Sequence, residues 1–387
     1  RLFLQGAGDG TLGGASETTV TFVDNLSTEL LITASGDYNV DLLGESSVIN
    51  LNQIQYYLPG GTTFHNTGRV TLGNEDNDVV SVMFALSTTA ASVTNIAGTV
   101  DLGYGMSETP HPGIALSPVL LTPAGTTAQI RTNSSWPISA AADASGNSVS
   151  QAGNNTLVLG TGVSRSQYVF NGHVTVETLV TTLSAERYIV SILGSLNITG
   201  TGGTTFNNRG ALRIGGSSAD THQLNSSLTV ASNASMTLSG QLTANGNVAI
   251  TPRVTVQSAG SALIAANGGA LTVGEVFVSN GVNLTLGSAT TNSISTSWIS
   301  GTGNVTAGTV SLESAGSITI ADVISGLTNL TLVNSAGADF RGAVSVSGNL
   351  LVQNSTGTAI FRGNVAAGAI TAATGAYDLQ LLSGASV

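Results

Sequence analysis

The chain repeats itself at a short, nearly fixed period, and this restricts its fold more than any other feature. Asn334-Ser335-Ala336-Gly337-Ala338-Asp339-Phe340-Arg341-Gly342-Ala343-Val344 returns as Asn354-Ser355-Thr356-Gly357-Thr358-Ala359-Ile360-Phe361-Arg362-Gly363-Asn364-Val365, shifted by 20 and then 21 residues. Ile320 lies 20 residues before Phe340, and Leu382 lies 21 after Phe361. Such a period marks a coil of stacked repeats, each burying its apolar face only against its neighbours. Ile320, Phe340, Phe361 and Leu382 are therefore expected to form one inward column.

Within each repeat the pattern is that of strands. Ser227-Leu228-Thr229-Val230, Ser235-Met236-Thr237-Leu238 and Val282-Asn283-Leu284-Thr285-Leu286 alternate polar and apolar residues between Gly, Asn and Ser. Period-2 alternation puts every second side chain on one face of a half-buried strand. Windows with helical spacing are broken by Gly or by β-branched runs, so helix content should be near zero. A longer duplication relates residues 60–78 to 202–220 at a shift of 142, with 9 of 19 identical, including Phe64 and Phe206. Five of the seven prolines (Pro110, Pro112, Pro118, Pro123, Pro137) fall together, beside Trp136. Because Pro cannot donate to a central ladder, the reading divides the chain into a solenoid-like region at 1–103, an irregular insertion or junction at 104–155 and a regular solenoid at 156–387. The fold class is all-β: a parallel β-solenoid with rungs of about 20 residues and an irregular Pro-containing insertion.

Composition narrows function. Only 8% of the 387 residues are charged, 49 are Gly, there is no Cys, and the net charge is −11. All ten cations are Arg, so an acidic chain without a basic face is not expected to bind nucleic acid. No apolar run reaches the roughly 18 residues of a membrane span, and membrane insertion is not expected. Without Cys, disulfides and thiolate metal sites are excluded. The first residue is Arg1, not Met, and the last residues, Leu381 to Val387, are still in repeat register. The expectation is a missing upstream segment and, at the far end, either a longer natural chain or docking on another copy.

Residues 303–320, Gly-Asn-Val-Thr-Ala-Gly-Thr-Val-Ser-Leu-Glu-Ser-Ala-Gly-Ser-Ile-Thr-Ile, resemble the strand repeats of large bacterial surface exoproteins. These are the filamentous-haemagglutinin-like adhesins and autotransporter passengers. The resemblance covers 156–387 well and 11–103 loosely, and is one of style rather than of a fixed motif. It implies a right-handed β-helix, secreted to the outer surface, that acts as stalk, adhesin or fibre. It carries no catalytic residue.

The residues that could bear chemistry are few. Gly8-Asp9-Gly10-Thr11-Leu12-Gly13 has the form of a phosphate loop but precedes a strand-like run, and reads as a turn. Asn74-Glu75-Asp76-Asn77-Asp78 reads first as a solvated turn; its oxygens also offer a surface Ca²⁺ site held by Asp76 and Asp78, although it lacks the Gly and Glu of an EF-hand loop. No other cofactor is expected. His65, His111, His173 and His222 have no metal-ligand spacing and read as solvent-facing turn residues. Arg341 and Arg362 should stack outward as a small basic spot that could take an anion or a sugar, and Asn334 and Asn354 should form an amide ladder. The ten Asn-x-Ser/Thr sequons are close to the chance number.

A β-helix glycosidase or lyase needs clustered carboxylates with a basic partner; Glu313, Asp322 and Asp339 stand at non-equivalent repeat positions, so the chain is not expected to be an enzyme. The sequence expectation is an extracellular or cell-surface structural and adhesive protein. It would be a rod or filament subunit of the cell surface or matrix, assembling through exposed strand edges with copies of itself or with flanking repeats. Surface glycans are a further candidate partner, and the alternative is a carbohydrate-binding or carbohydrate-active β-helix.

Overall fold

The computed structural model describes residues 2–4, 19–22, 30–32, 39–42, 48–50, 62–82, 86–102, 113–132, 137–160, 166–183, 187–231, 233–257, 259–302, 307–373, 375 and 377–382. The chain is an all-β parallel β-solenoid of about 13 turns, with rungs about 22 residues apart and no helix among the described residues. The period-2 pattern is the cause. In the strand Thr127–Thr132 half-buried and buried residues alternate without a break, sending Ala128, Ile130 and Thr132 inward. The backbone groups of each strand bond to the rungs before and after it, and like side chains stack at the rung spacing of about 4.8 Å.

The chain forms two compact units, Arg1–Gly200 with Asn207–Gly210, and Thr201–Phe206 with Ala211–Val387. In the first, Val80, Val100, Ile130 and Leu159 are successive Cα partners and make one inward column. Tyr168 and Tyr188 are fully buried in an edge-to-face pair at 5.7 Å. Each phenol donates to a backbone carbonyl, Tyr168 to Ile130 at 3.3 Å and Tyr188 to Thr182 at 2.7 Å. Burial raises the pKa of both phenols, that of Tyr188 to about 12. Gly160, at φ 75°, lies under the Tyr188 ring, where a Cβ would stand 2.6 Å from Cζ. Any other residue there would push the ring out.

The proline-rich segment differs from the expectation of an irregular insertion. Ile114–Leu116, Val119–Leu121, Thr127–Thr132, Pro137–Ala140 and Asn147–Gln151 are strands of the stack. They are paired in register, as Ile114 with Ile138 and Val119 with Val149. Prolines are accommodated because they avoid the donor positions. Pro118 and Pro123 lie outside the strand Val119–Leu121, and Pro137 is the exposed first residue of its own. Pro110, Pro112 and Trp136 lie outside the described residues, as do Gly8 to Gly13.

In the second unit one inward column runs Phe206, Val230, Ile250, Val273, Thr296, Ile320, Phe340, Phe361 and Leu381. Phe340 and Phe361 stack face to face at 4.6 Å with 5° between planes, and Ile320, Phe340 and Phe361 are at most 1% exposed. Leu382 does not belong to this column. The step beyond Phe361 is 20 residues rather than 21, so Leu381 is the partner of Phe361, and Leu382 donates its amide to the Phe361 carbonyl at 3.1 Å. A one-residue slip sends a side chain to the other face.

The 142-residue duplication is structural as well. Thr62 pairs with Leu86, Val70 with Thr94 and Val79 with Thr99. The positions 142 later repeat each pairing: Thr204 with Leu228, Leu212 with Met236 and Thr221 with Gln241. Residues 62–102 and 204–244 are thus two copies of one rung pair.

Candidate functional site

The acidic run that suggested calcium is a turn closed by its last carboxylate. Asp78 is 1% exposed, and its Oδ2 accepts the amides of Asn74 at 2.7 Å and Glu75 at 3.0 Å. In the second copy Asp220 accepts the amides of Gly216 and Ser217, both at 2.8 Å. Gly98 and Gly240 occupy equivalent places, with φ of 71° and 87°, against the carbonyls of Asp78 and Asp220 respectively. Asp76 is exposed and accepts the amide of Thr127 at 2.7 Å. The structure therefore gives Asp76 and Asp78 separate backbone partners. Among the described residues no three His, Asp or Glu side chains converge as a metal would require.

The same economy governs other charged groups. Asp41 holds Arg69 through two bonds, at 3.2 and 2.8 Å, and also accepts Thr71. Asp101, 4% exposed, pairs with Arg131 at 2.8 Å. Asp143 accepts the amides of Ser145 and Asn147, both at 2.8 Å. The Asn147 amide is the main reason its pKa lies below the ordinary carboxylate value.

Arg341 and Arg362 do stand on neighbouring rungs and face outward, but they do not form a bare basic spot. Both close on Asp339, at 3.0 and 2.6 Å. Burial would raise the pKa of Asp339, but hydrogen bonds from Arg362 and Arg341 outweigh it and hold the carboxyl below its usual range. Glu313, Asp322 and Asp339 are not brought together: Glu313 accepts the Asn334 amide at 2.8 Å, and Asp322 accepts the amide of Val323.

Two further readings change in the structure. Asn334 and Asn354 are left-handed turn residues, φ 56° and 51°, and the column beside them is a buried hydroxyl stack, with Ser335 donating to Ser355 at 3.0 Å. Asn and Gly are the residues that tolerate this backbone. The amide ladder sits elsewhere: Asn283 Oδ1 accepts Thr309 N, Asn329 Nδ2 donates to Thr309 Oγ1, and Asn329 Oδ1 accepts Asn349 N, at 2.8 to 3.2 Å. Sequons at Asn283 and Asn329 thus arise from outward Asn and Thr alternating with inward Leu. Of the histidines, His65 is exposed and His111 lies outside the described residues. His173 is half-buried, its Nδ1 accepting the Ser195 amide at 2.8 Å. His222 is fully buried, with Nε2 2.9 Å from the Ser239 carbonyl. It faces inward because the strand Thr221–Leu224 alternates, and Val80 holds the same place in the first copy.

One outer cluster was not singled out from sequence. Most described aromatic side chains are core residues, but Phe277 and Trp298 are only half-buried. They face outward on successive rungs, with ring centroids 5.2 Å apart at 71°. The Arg253 guanidinium lies 4.5 Å above the Phe277 ring and pairs with Glu275 at 2.9 Å. Glu275 and Trp298 are direct Cα partners. The signal was present in the alternation: Val276 and Val278 point inward, so Phe277 points outward, and Ile299 fixes Trp298 in the same way. No family model matches the chain, and no curated protein or solved structure was found to be similar to it.

Proposed function

We propose that this chain is structural and adhesive material of the extracellular surface, a segment of a solenoid stalk or fibre of the kind its repeats resemble. The observation that carries the reading is how the charged side chains are used. Carboxylates that an enzyme would need to keep available are spent on turns, as at Asp78, Asp220 and Asp143, or on cross-rung ion pairs, as at Asp41, Asp101 and Asp339. Low charge and small outward polar residues allow close lateral approach, and a chain with only ten Lys and Arg residues in 387 offers few cleavage sites to trypsin-like proteases.

Assembly would run through strand edges. On the last described rung Leu379 and Leu381 continue the inward columns of Ala359 and Phe361, yet are 40% and 42% exposed. A further rung, from the same or another chain, would cover them and pair the open edge. Antibodies against the purified chain should label intact cells of its source, and electron microscopy with light-scattering mass should give filaments or rods of uniform width. Labelling only after permeabilisation would overturn the surface assignment. If filaments form, Leu381→Arg should shorten or abolish them, and unchanged filaments would overturn assembly through this edge.

A further inference from the structure

We propose that the outer face built by Arg253, Glu275, Phe277 and Trp298 is a binding platform for a neutral glycan. The proposal rests on the adhesive reading above and names what the surface would hold. Four observations carry it.

The first is the exceptional position of the rings. The ladder neighbours of Phe277 are small, Thr255 on the rung before it and Ser300 on the rung after, and Ser300 is followed by Ser325. Arg253 already covers one face of Phe277 and the two rings stand at 71°, so the ring face left to meet the polarised C–H groups of a sugar is that of Trp298, with Phe277 beside it.

The second is the adjoining polar pair. Arg253 and Glu275 are 54% and 41% exposed and are fixed to each other at 2.9 Å. They set N–H donors and carboxylate acceptors side by side, as vicinal hydroxyls require, since each hydroxyl both donates and accepts. The pair has no net charge, and this selects a neutral polyol over a sulfated or uronic acid ligand.

Spacing supplies the third. Arg253 precedes the partnered pair Val254 and Val276, as Glu275 does, and Glu275 is the partner of Trp298. The three residues thus occupy one column over three rungs, a span of about 10 Å at the rung spacing. Two linked pyranose rings fit that length. The area is small for a protein partner, because two half-buried rings fall well short of the roughly 800 Å² that each side of a stable protein interface contributes.

The fourth concerns Trp298 itself. Its indole nitrogen is shielded and has no hydrogen-bond partner, whereas a buried indole N–H in a structural role usually finds one. The ring is not held in place by its N–H, so Trp298→Phe keeps a stacking face without removing a hydrogen bond from the fold.

The test uses the full chain carrying Trp136→Phe, which leaves Trp298 as the sole tryptophan. It is titrated with cellohexaose, chitohexaose and mannohexaose to about 10 mM, a range that covers affinities down to the millimolar. A saturable change in Trp298 emission with at least one of them is expected. In calorimetry with that sugar, Trp298→Ala and Glu275→Ala should weaken binding at least about tenfold, Trp298→Phe by less than about threefold, and all three should melt like the parent. The proposal is overturned if no sugar gives a saturable change, or if Trp298→Ala melts normally and binds as the parent does. It is also overturned if Trp298→Ala instead converts a self-associated species to monomer in light scattering, which would make the face an interface between copies. Sugar binding without filaments leaves the platform standing and counts only against end-to-end assembly, whereas filaments without sugar binding overturn the platform alone.

Discussion

Residues 62–102 and 204–244 solve the same folding problem with different side chains, and the positions they share show what this coil requires. Both copies bury a phenylalanine, Phe64 and Phe206, at 1% and 0% exposure. Each bends at a turn whose closing aspartate takes two amides, and each brings a positive-φ glycine of the next rung against that turn. Between these points the copies diverge: Val80 corresponds to His222, and Arg69 to Ala211. The rung is defined by its corners and its large inward residue, and the flat stretches need only alternate. In a stack where each rung contacts only its neighbours, a lesion at a shared position should therefore damage both copies alike. One at a divergent position should separate them.

The largest effect is expected at the phenylalanines. Phe64→Ala and Phe206→Ala should each cost about 3–5 kcal/mol, the usual loss for emptying a buried aromatic site. Native-state hydrogen exchange should locate the lost protection on the mutated rung and its two neighbours. Equal losses would confirm that the copies are equivalent; a loss spread evenly over all rungs would contradict nearest-neighbour stacking.

Next come the turn carboxylates. Asp78→Ala and Asp220→Ala each leave two amides without their charged acceptor, at a cost of about 2–3 kcal/mol. Asn keeps an acceptor oxygen, so Asp78→Asn and Asp220→Asn should cost about half as much. If Asp78→Ala lost stability only when calcium was supplied to the parent, the backbone-capping account of this turn would fail.

The column Ile320, Phe340, Phe361 was legible in the sequence because its residues are large and recur in a chain of small ones. The sequence could not show that the next step is one residue shorter, which replaces Leu382 by Leu381, since both are leucines and only the ladder distinguishes them. The shared turn was visible as a repeat, but Asp78 was hidden among acids that suggested an ion, while its counterpart Asp220 stands among Gly, Ser and Ala. Prolines misled because their number was weighed and not their phase relative to the strand donors. Alternation alone turns Phe277 and Trp298 outward, but they stand 21 residues apart in the sequence, and only the pairing of Glu275 with Trp298 brings the two rings together.

Position 80/222 provides a sharper test, because the two copies offer each other's solution. His222→Val should change stability by less than about 1 kcal/mol: it removes the imidazole contact with the Ser239 carbonyl but restores an apolar side chain that the equivalent site already accepts. Val80→His should cost about 2 kcal/mol or more, since that site has no arrangement evolved around an imidazole and the ring enters a packed interior. Symmetric outcomes would mean that the glycine and carbonyl common to both copies, Gly215 with Ser239 and Gly73 with Ala97, are enough to hold the ring. Arg69→Ala makes the first copy resemble the second at another divergent site. Its side chain is 41% exposed, so the expected loss is about 1 kcal/mol, further reduced by salt.

The smallest effect distinguishes carboxylates held by amides from one held by arginines. Asp339 has its pKa lowered mainly through Arg362 and Arg341 acting against burial, and Asp143 through the Asn147 amide. A depressed pKa in the folded state contributes stability that is present above the unfolded value, near 3.9, and is lost as pH falls through the lower folded value. Both aspartates should therefore steepen acid unfolding below about pH 4. They should respond differently to salt. The Asp339 contribution comes from exposed charges and should shrink as ionic strength rises toward about 1 M, where the screening length is about 3 Å. The Asp143 contribution comes from short backbone hydrogen bonds and should persist. Acid titrations of Asp339→Asn and Asp143→Asn at low and high salt would measure this: high salt should bring Asp339→Asn and the parent together and leave Asp143→Asn apart. If salt erased both differences, the amide-closed turns would be electrostatic pairs in another form, and Asp78 and Asp220 could no longer be treated as fixed corners of the rung.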